Sequence, residues 1–319
     1  MKGKAITKIV LCSIVAVALT GVLLGGLLGV KVFNSLPIIE KIEELPGGFS
    51  INIGKHYNES GFRIGSAELD REESGKIREI DLNWASGSVL VKPYSGDRLI
   101  LRESEVDSEA KRLRWKLENG TLTIHECKNG ITLSGSLKKT LELLIPEESA
   151  ALDKLECDSA SAAVQIEGLT VAELDIDTAS GNVMMKNCRV ETLDFDAASA
   201  ELHAENCSLG EFSADTASGS VTLSGSVNAV EMDTVSGSLK VETEVTPRKV
   251  EMEAVSGGCL LILPENAGFT IKKEGVSSKV NVEGFAVSVQ DKAYVCGDGW
   301  AEFSFEGVSG DITIRAAER

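Results

Sequence analysis

Histidine is scarce in this 319-residue chain: His56, His125 and His203 are all it has, widely separated and without metal-ligand spacing. A histidine-built metal centre is therefore excluded. No G-x-S-x-G elbow, P-loop or C-x-x-C occurs, which removes the serine-hydrolase, phosphate-cradle and thioredoxin-type classes that those motifs carry. Neither an EF-hand pattern nor a G-G-x-G-x-D repeat is present, so no dedicated calcium loop is written into the chain. Basic charge is short as well, with 32 Lys and Arg against 49 Asp and Glu and a formal net charge of -17. Such a surface repels phosphate backbones and anionic lipid while attracting cations and basic peptides, so nucleic acid is excluded as a partner.

What the chain has in abundance is repetition. Aligned on a recurring serine, it reads WASGSV from Trp84, SASAAV from Ser159, TASGNV from Thr178, AASAEL from Ala197, TASGSV from Thr216, TVSGSL from Thr234, AVSGGC from Ala254 and GVSGDI from Gly307. From Ser161 to Ser256 the serines step by 19, 19, 19, 18 and 20 residues, the period of a stacked-repeat architecture.

Each repeat holds two short alternating runs. In LDIDTASGNVMM, Leu174 and Ile176 point one way and Asp175 and Asp177 the other, and after the turn Val183 and Met185 point inward. Leu193 and Phe195, Phe212 and Ala214, Val230 and Met232, and Val250 and Met252 keep that register in the first run; Val164 and Ile166, Leu202 and Ala204, Val221 and Leu223, and Leu239 and Val241 keep it in the second. Two strands and two corners per repeat of about 19 residues predict an all-β fold, a parallel β-solenoid (β-helix) whose coils pair only with their neighbours. The glycine after the serine is read as a corner needing positive φ, although Ala162 and Ala200 replace it in two copies. An isolated copy at 80–93 is followed by a hairpin with Asn119-Gly120 at its turn, and an irregular stretch from about 264 to 300 precedes the last copy. Trp84 and Trp300 are candidate partner contacts or core caps, and Met184 and Leu260 a candidate docking strip.

The N-terminus carries a different signal. Ile9 to Val30 is free of charge, flanked by Lys2, Lys4, Lys8 and Lys31, and long enough to span a bilayer as an uncleaved helix. The lysine bias places residues 1–8 in the cytoplasm and the mass of the chain outside. The expected organisation is thus a cytoplasmic N-terminus (1–8), a transmembrane anchor (9–30), a stalk (31–78) and the solenoid domain (79–315), a single-pass protein of the cell membrane. Gly21, Gly25 and Gly29 leave one face of the span bare, a candidate surface for self-association.

Six cysteines lie beyond the span, and Cys188 and Cys207 hold the same place in neighbouring repeats. At a coil spacing of roughly 4.8 Å a disulfide between them is geometrically allowed. Buried cysteine as a small hydrophobe is the alternative, and the stronger one for Cys157 and Cys259 at inward positions.

The outward slots of the first strand carry the functional signal. One column reads Glu156, Asp175, Asp194, Ser213, Glu231 and Glu251; the next reads Asp158, Asp177, Asp196, Asp215, Asp233 and Glu253. Adjacent carboxylates at that spacing repel by about 1 kcal/mol even at the dielectric of water, a cost random surface variation rarely keeps. Aspartates of the second column have a structural explanation, accepting hydrogen bonds from the N–H groups of the turn that follows. The first column sits mid-strand, where aspartate is disfavoured. The functional reading is an acidic ladder that binds cationic peptides or divalent cations weakly and multivalently, calcium first among metals, with no resident cofactor. A hydrolase needing only two spaced carboxylates, such as a polysaccharide-acting β-helix enzyme, is the competing class, and a structural or docking scaffold the third.

The WASGSV and TASGNV repeats, the closing GDGWAEFSFEGVSGDITI and the single N-terminal span resemble the bacterial putative-adhesin domain of β-helical type, a family of unknown function in Firmicute envelope proteins. The resemblance implies a non-catalytic binding or sensing module of the envelope, related in some members to envelope stress, with envelope proteins among its partners. It supplies no catalytic residues.

Overall fold

The computed structural model describes residues 60–128, 139–275, 279–290 and 293–318. The span at 9–30 and its glycines lie outside them, and among the described residues no helix is long and apolar enough to cross a membrane. The described chain is all β apart from single short helical turns such as Arg71–Ser74.

Parallel pairing in strict register builds the body. Thr170–Thr178 lies between Ala151–Ser159 and Arg189–Ala197, with Leu174 beside Leu155 and Leu193, and Ile176 beside Cys157 and Phe195. Val183–Lys186 lies between Ala163–Glu167 and the start of Leu202–Thr216. The long strands Leu202–Thr216 and Val221–Thr234 pass through the second corner, with a register shift between Ala204 and Cys207, and so join the two ladders. The inward alternation holds throughout: Leu193, Phe195, Phe212, Met232, Val164, Met185, Leu223 and Val241 are buried between the two ladders.

The order of the coils departs from the order of the chain at both ends. The copy at Glu79–Asn83 and Ser88–Tyr94 sits between Thr121–His125 and Thr140–Pro146 on one side and Ala151–Ser159 and Ala163–Glu167 on the other. At the far end Ala301–Ser309 and Ile312–Ala316 are inserted between the coil at Lys249–Ser256 and Cys259–Leu263 and the strands Phe269–Gly275 and Val280–Glu283. The copies bearing the serine corner are thereby contiguous in space although not in sequence. Backbone hydrogen bonds run along that corner from Ser161 N to Ala85 O, Ser180 N to Ala160 O, Ser199 N to Ala179 O and Ser218 N to Ala198 O.

The irregular stretches close the ends. At the first end Arg114–Glu118 runs antiparallel to Thr121–His125, with Asn119 and Gly120 both at positive φ in the turn between them, and Leu99–Glu103 runs antiparallel to Thr140–Pro146. Arg63–Ile64 and Ala67–Leu69 add further antiparallel strands, and Leu69 and Ile77 are fully buried. Residues 63–78, read from sequence as stalk, therefore belong to the folded cap. At the other end Ala293–Cys296 pairs antiparallel with Phe269–Gly275 and then with Val287–Gln290. Antiparallel hairpins in place of bare parallel edges limit the surface open to stray strand pairing.

The corner chemistry differs from the sequence reading in two respects. Gly87 and Gly310, in the first and last copies, are at positive φ, but Gly181 and Gly237 are not; a Cβ on them would lie 1.9 Å from Ala162 O and 2.2 Å from Gly219 O, so the requirement there is close approach of stacked coils. At three of the turns an N–H group is capped by a buried hydroxyl: Ala162 N donates to Ser159 Oγ at 2.9 Å, Gly181 N to Thr178 Oγ1 at 3.0 Å and Gly237 N to Thr234 Oγ1 at 2.8 Å. Each hydroxyl follows the outward aspartate by one residue and so faces inward, towards the corner.

Candidate functional site

The strand register assembles the predicted carboxylates on one face. Along the first column Glu156 pairs with Asp175, Asp175 with Asp194, Asp194 with Ser213, Ser213 with Glu231 and Glu231 with Glu251. Along the second, Asp158, Asp177, Asp196, Asp215, Asp233 and Glu253 follow one another in the same way. The intercalated end coils extend both: Asp81 adjoins Glu156 at one end, and Glu306 and Glu274 continue the second column beyond Glu253. Asp81 and Glu306 were readable from the same serine alignment, since they stand where Glu156 and Glu253 stand in their own repeats. Glu274 stands three residues before Ser277 in EGVSSKV, as Glu306 does before Ser309, a copy outside the serine alignment above.

Packing so many carboxylates together changes their proton affinity. Burial, followed by the charge of Asp177 and Glu156, pushes Asp158 up to about 8. Burial and then Asp194 push Asp177 up to about 7, and burial and then Asp194 and Asp215 push Asp196 up to about 8. Asp81 is raised to about 6 by burial and Glu156, opposed by a 2.7 Å hydrogen bond from Asn83 Nδ2. Asp194, more exposed, is raised by burial and by Asp175. Asp158, Asp177 and Asp196 thus hold protons near neutral pH, a state no count of formal charge reveals.

Two lysines, absent from the sequence-based site, dock on the ladder from the adjacent outward column. Lys154 Nζ lies 2.6 Å from Asp175 Oδ2, 2.7 Å from Glu173 Oε1 and 3.6 Å from Glu156 Oε2. Lys249 Nζ lies 2.5 Å from Glu251 Oε2 and 3.2 Å from Glu231 Oε2. Burial disfavours the Lys154 ammonium, but its contacts with Asp175 and Glu173 outweigh that and hold its pKa above the usual lysine range. One ammonium therefore spans carboxylates of neighbouring coils.

Metal chemistry finds a poorer fit. Among the described residues no three Asp, Glu, His or Cys side chains converge where they could hold a metal ion. A ladder sets carboxylates in a row, whereas a calcium site needs oxygens on all sides of one point. His125 is buried in the first cap, stacked on Phe62 at 4.9 Å and lowered to about 4 by burial, and His203 lies on the second ladder beside Glu201. His56 lies outside the described residues.

The remaining candidates separate. Trp84 is fully buried and Trp300 is 54% exposed, so the first is core and the second surface. Met184 is exposed on the second ladder, and Leu260 is half-buried. Cys188 and Cys207 are buried free thiols on adjacent coils, at the corner opposite the serines.

No curated protein matches the chain. Among solved structures it is similar to a "putative adhesin" from Bacteroides fragilis, at 13% identity and a TM-score of 0.49, over 81% of this chain and 98% of that one. It is also similar to a "putative cell adhesion protein" from Clostridium sporogenes, at 11% identity and a TM-score of 0.29, over 80% and 100% of the two chains. A "putative lipid binding protein" from Parabacteroides distasonis matches at 15% identity and a TM-score of 0.41, over 81% and 98%. The family model described as Toastrack DUF4097 matches residues 77–316, the whole stack from the first serine-corner coil to the last, and the chain belongs to that family.

Proposed function

We propose that the protein is a non-catalytic binding module of the cell envelope, anchored by residues 9–30 with its solenoid outside the membrane, and that the acidic ladder is its contact surface for cationic peptides. The single observation that carries this reading is the docking of Lys154, whose one ammonium meets Asp175, Glu173 and Glu156. A lysine-rich or arginine-rich segment laid across the coils would repeat that contact at each step of roughly 4.8 Å. Divalent cations are weaker candidates, because shared carboxylate pairs supply few ligands each. Association of anchors through Gly21, Gly25 and Gly29 would set several ladders side by side and raise avidity.

The test is calorimetric titration of the full chain with a lysine-rich peptide at low salt, beside a variant carrying Asp175→Asn, Asp194→Asn, Glu231→Gln and Glu251→Gln. Binding by the wild type that disappears in the variant supports the ladder. Absence of binding by both overturns it. Docking of a protein partner at the C-terminal end is a second reading, favoured by the exposure of Trp300 (54%) and Val289 (68%) there.

A further inference from the structure

The corner opposite the serines holds a feature that cation binding does not use. Cys188 and Cys207 directly precede Arg189 and Ser208, which are register partners on adjacent parallel strands, and Ser208 N donates to Cys188 O at 2.8 Å. Their Cα atoms are thus one strand spacing apart, roughly 4.8 Å, inside the range a disulfide spans. Cys157 and Cys259 lack such a neighbour: Cys157 is flanked in its ladder by Leu82 and Ile176, and Cys259 by Leu239 and Ile312.

The surroundings give the pair an approach from outside. Asn187 and Asn206, both at positive φ, stack at the turn with Asn206 Nδ2 donating to Asn187 Oδ1 at 2.7 Å. On the next coil the place above Cys207 is taken by Gly225, which has no side chain to cover the sulfur. The result is an open groove of about 310 Å³, lined by Thr170, Asn187, Cys188, Cys207, Gly225 and Glu244 among others.

We propose that Cys188 and Cys207 are a redox-modification site, a dithiol that external disulfides convert into a bridge stapling two adjacent coils. The Cys188 thiolate attacks one sulfur of the external disulfide, forming a mixed disulfide and expelling a thiolate. Cys207, giving up its proton, attacks Cys188 Sγ, closing the bridge and expelling the second thiolate. The two protein thiols lose two electrons and two protons, and the external disulfide is reduced to two thiols. Chemistry supports the order of attack: hydrogen bonding from Cys207 lowers the pKa of the Cys188 thiol, while the same contact pushes Cys207 up. Burial holds Cys157 and Cys259 far above the usual thiol range.

The test treats the reduced full chain with dithionitrobenzoate at neutral pH. The wild type is expected to release two thionitrobenzoate anions in its fast phase and to retain no adduct. Cys207→Ser and Cys188→Ser should each release one and keep one adduct, because each lacks the second thiol that closes the bridge. Peptide mapping of the oxidised wild type needs no variant, and a linked Cys188–Cys207 peptide together with a raised, reductant-sensitive unfolding midpoint supports the site. Retained adducts on both cysteines without closure, or reaction no faster than that of Cys157 and Cys259 in the double variant, would overturn it.

Discussion

Asp158, Asp177 and Asp196 are carboxylic acids held partly protonated near neutrality by burial and by one another. Their folded-state pKa values lie above the roughly 3.9 of an unfolded aspartate, so the native chain binds more protons than the unfolded chain between those limits. Stability therefore falls as pH rises through about 7 to 8, and recovers as pH falls towards the unfolded value. Thermal unfolding should show a midpoint several degrees lower at about pH 9 than at about pH 5.5. Asp196→Asn should shrink that difference, stabilising the protein by about 1 kcal/mol at the alkaline end and little at the acid end. A midpoint that rises steadily with pH would contradict the buried ladder. Lys154 belongs to the same scale: Lys154→Ala removes an internal competitor, and a lysine-rich peptide should bind a few-fold more tightly, matching the 0.2–1 kcal/mol or so of a partly exposed ion pair.

At the scale of the coil, the corner hydroxyl and the corner glycine do separate work. Thr178→Val deletes the acceptor for Gly181 N and should cost about 1–2 kcal/mol, read as a lower denaturant midpoint. Gly181→Ala drives a Cβ to 1.9 Å from Ala162 O, forces adjacent coils apart and should cost about 1–3 kcal/mol. These features also mark where sequence reading succeeds and where it stops. Inward pairs such as Leu193 and Phe195 were legible because strand geometry imposes a period of two, and Asn119-Gly120 because its turn demands positive φ at both residues. The Asp–Thr choice at the corner was not, because adjacent residues face opposite ways and only the direction of the turn decides which one meets its N–H groups. Lys154 and Lys249 escaped notice because their reach across columns depends on side-chain conformation, while the ladder itself follows from register alone.

At the scale of the whole molecule, the order of coils is the property local sequence could not supply. Each serine-corner copy presents similar edges, and nothing within Glu79–Tyr94 states that its partner in the main stack begins at Ala151. Intercalation has a measurable consequence. A chain stopped after Trp300 loses the strand that joins Phe269–Gly275 to Lys249–Ser256, so the second cap detaches and the edge of the Lys249–Ser256 strand is bared. Amide exchange should then accelerate across both segments and the fragment should aggregate, whereas a sequentially stacked solenoid would lose only its final coil.

The central claim is that the ladder is the contact surface, and its charge is adjustable by pH in a range where lysine and arginine side chains stay charged. The most direct measurement is titration of the full chain with a lysine-rich peptide at fixed low salt from about pH 6 to about pH 9, repeated with Asp177→Asn and Asp196→Asn together. Affinity that rises with pH through about 7 to 8 in the wild type, and rises less in the variant, where of Asp158, Asp177 and Asp196 only Asp158 still titrates, is the predicted result. Affinity that is flat across the range, or rises identically in both proteins, would place the binding elsewhere on the molecule.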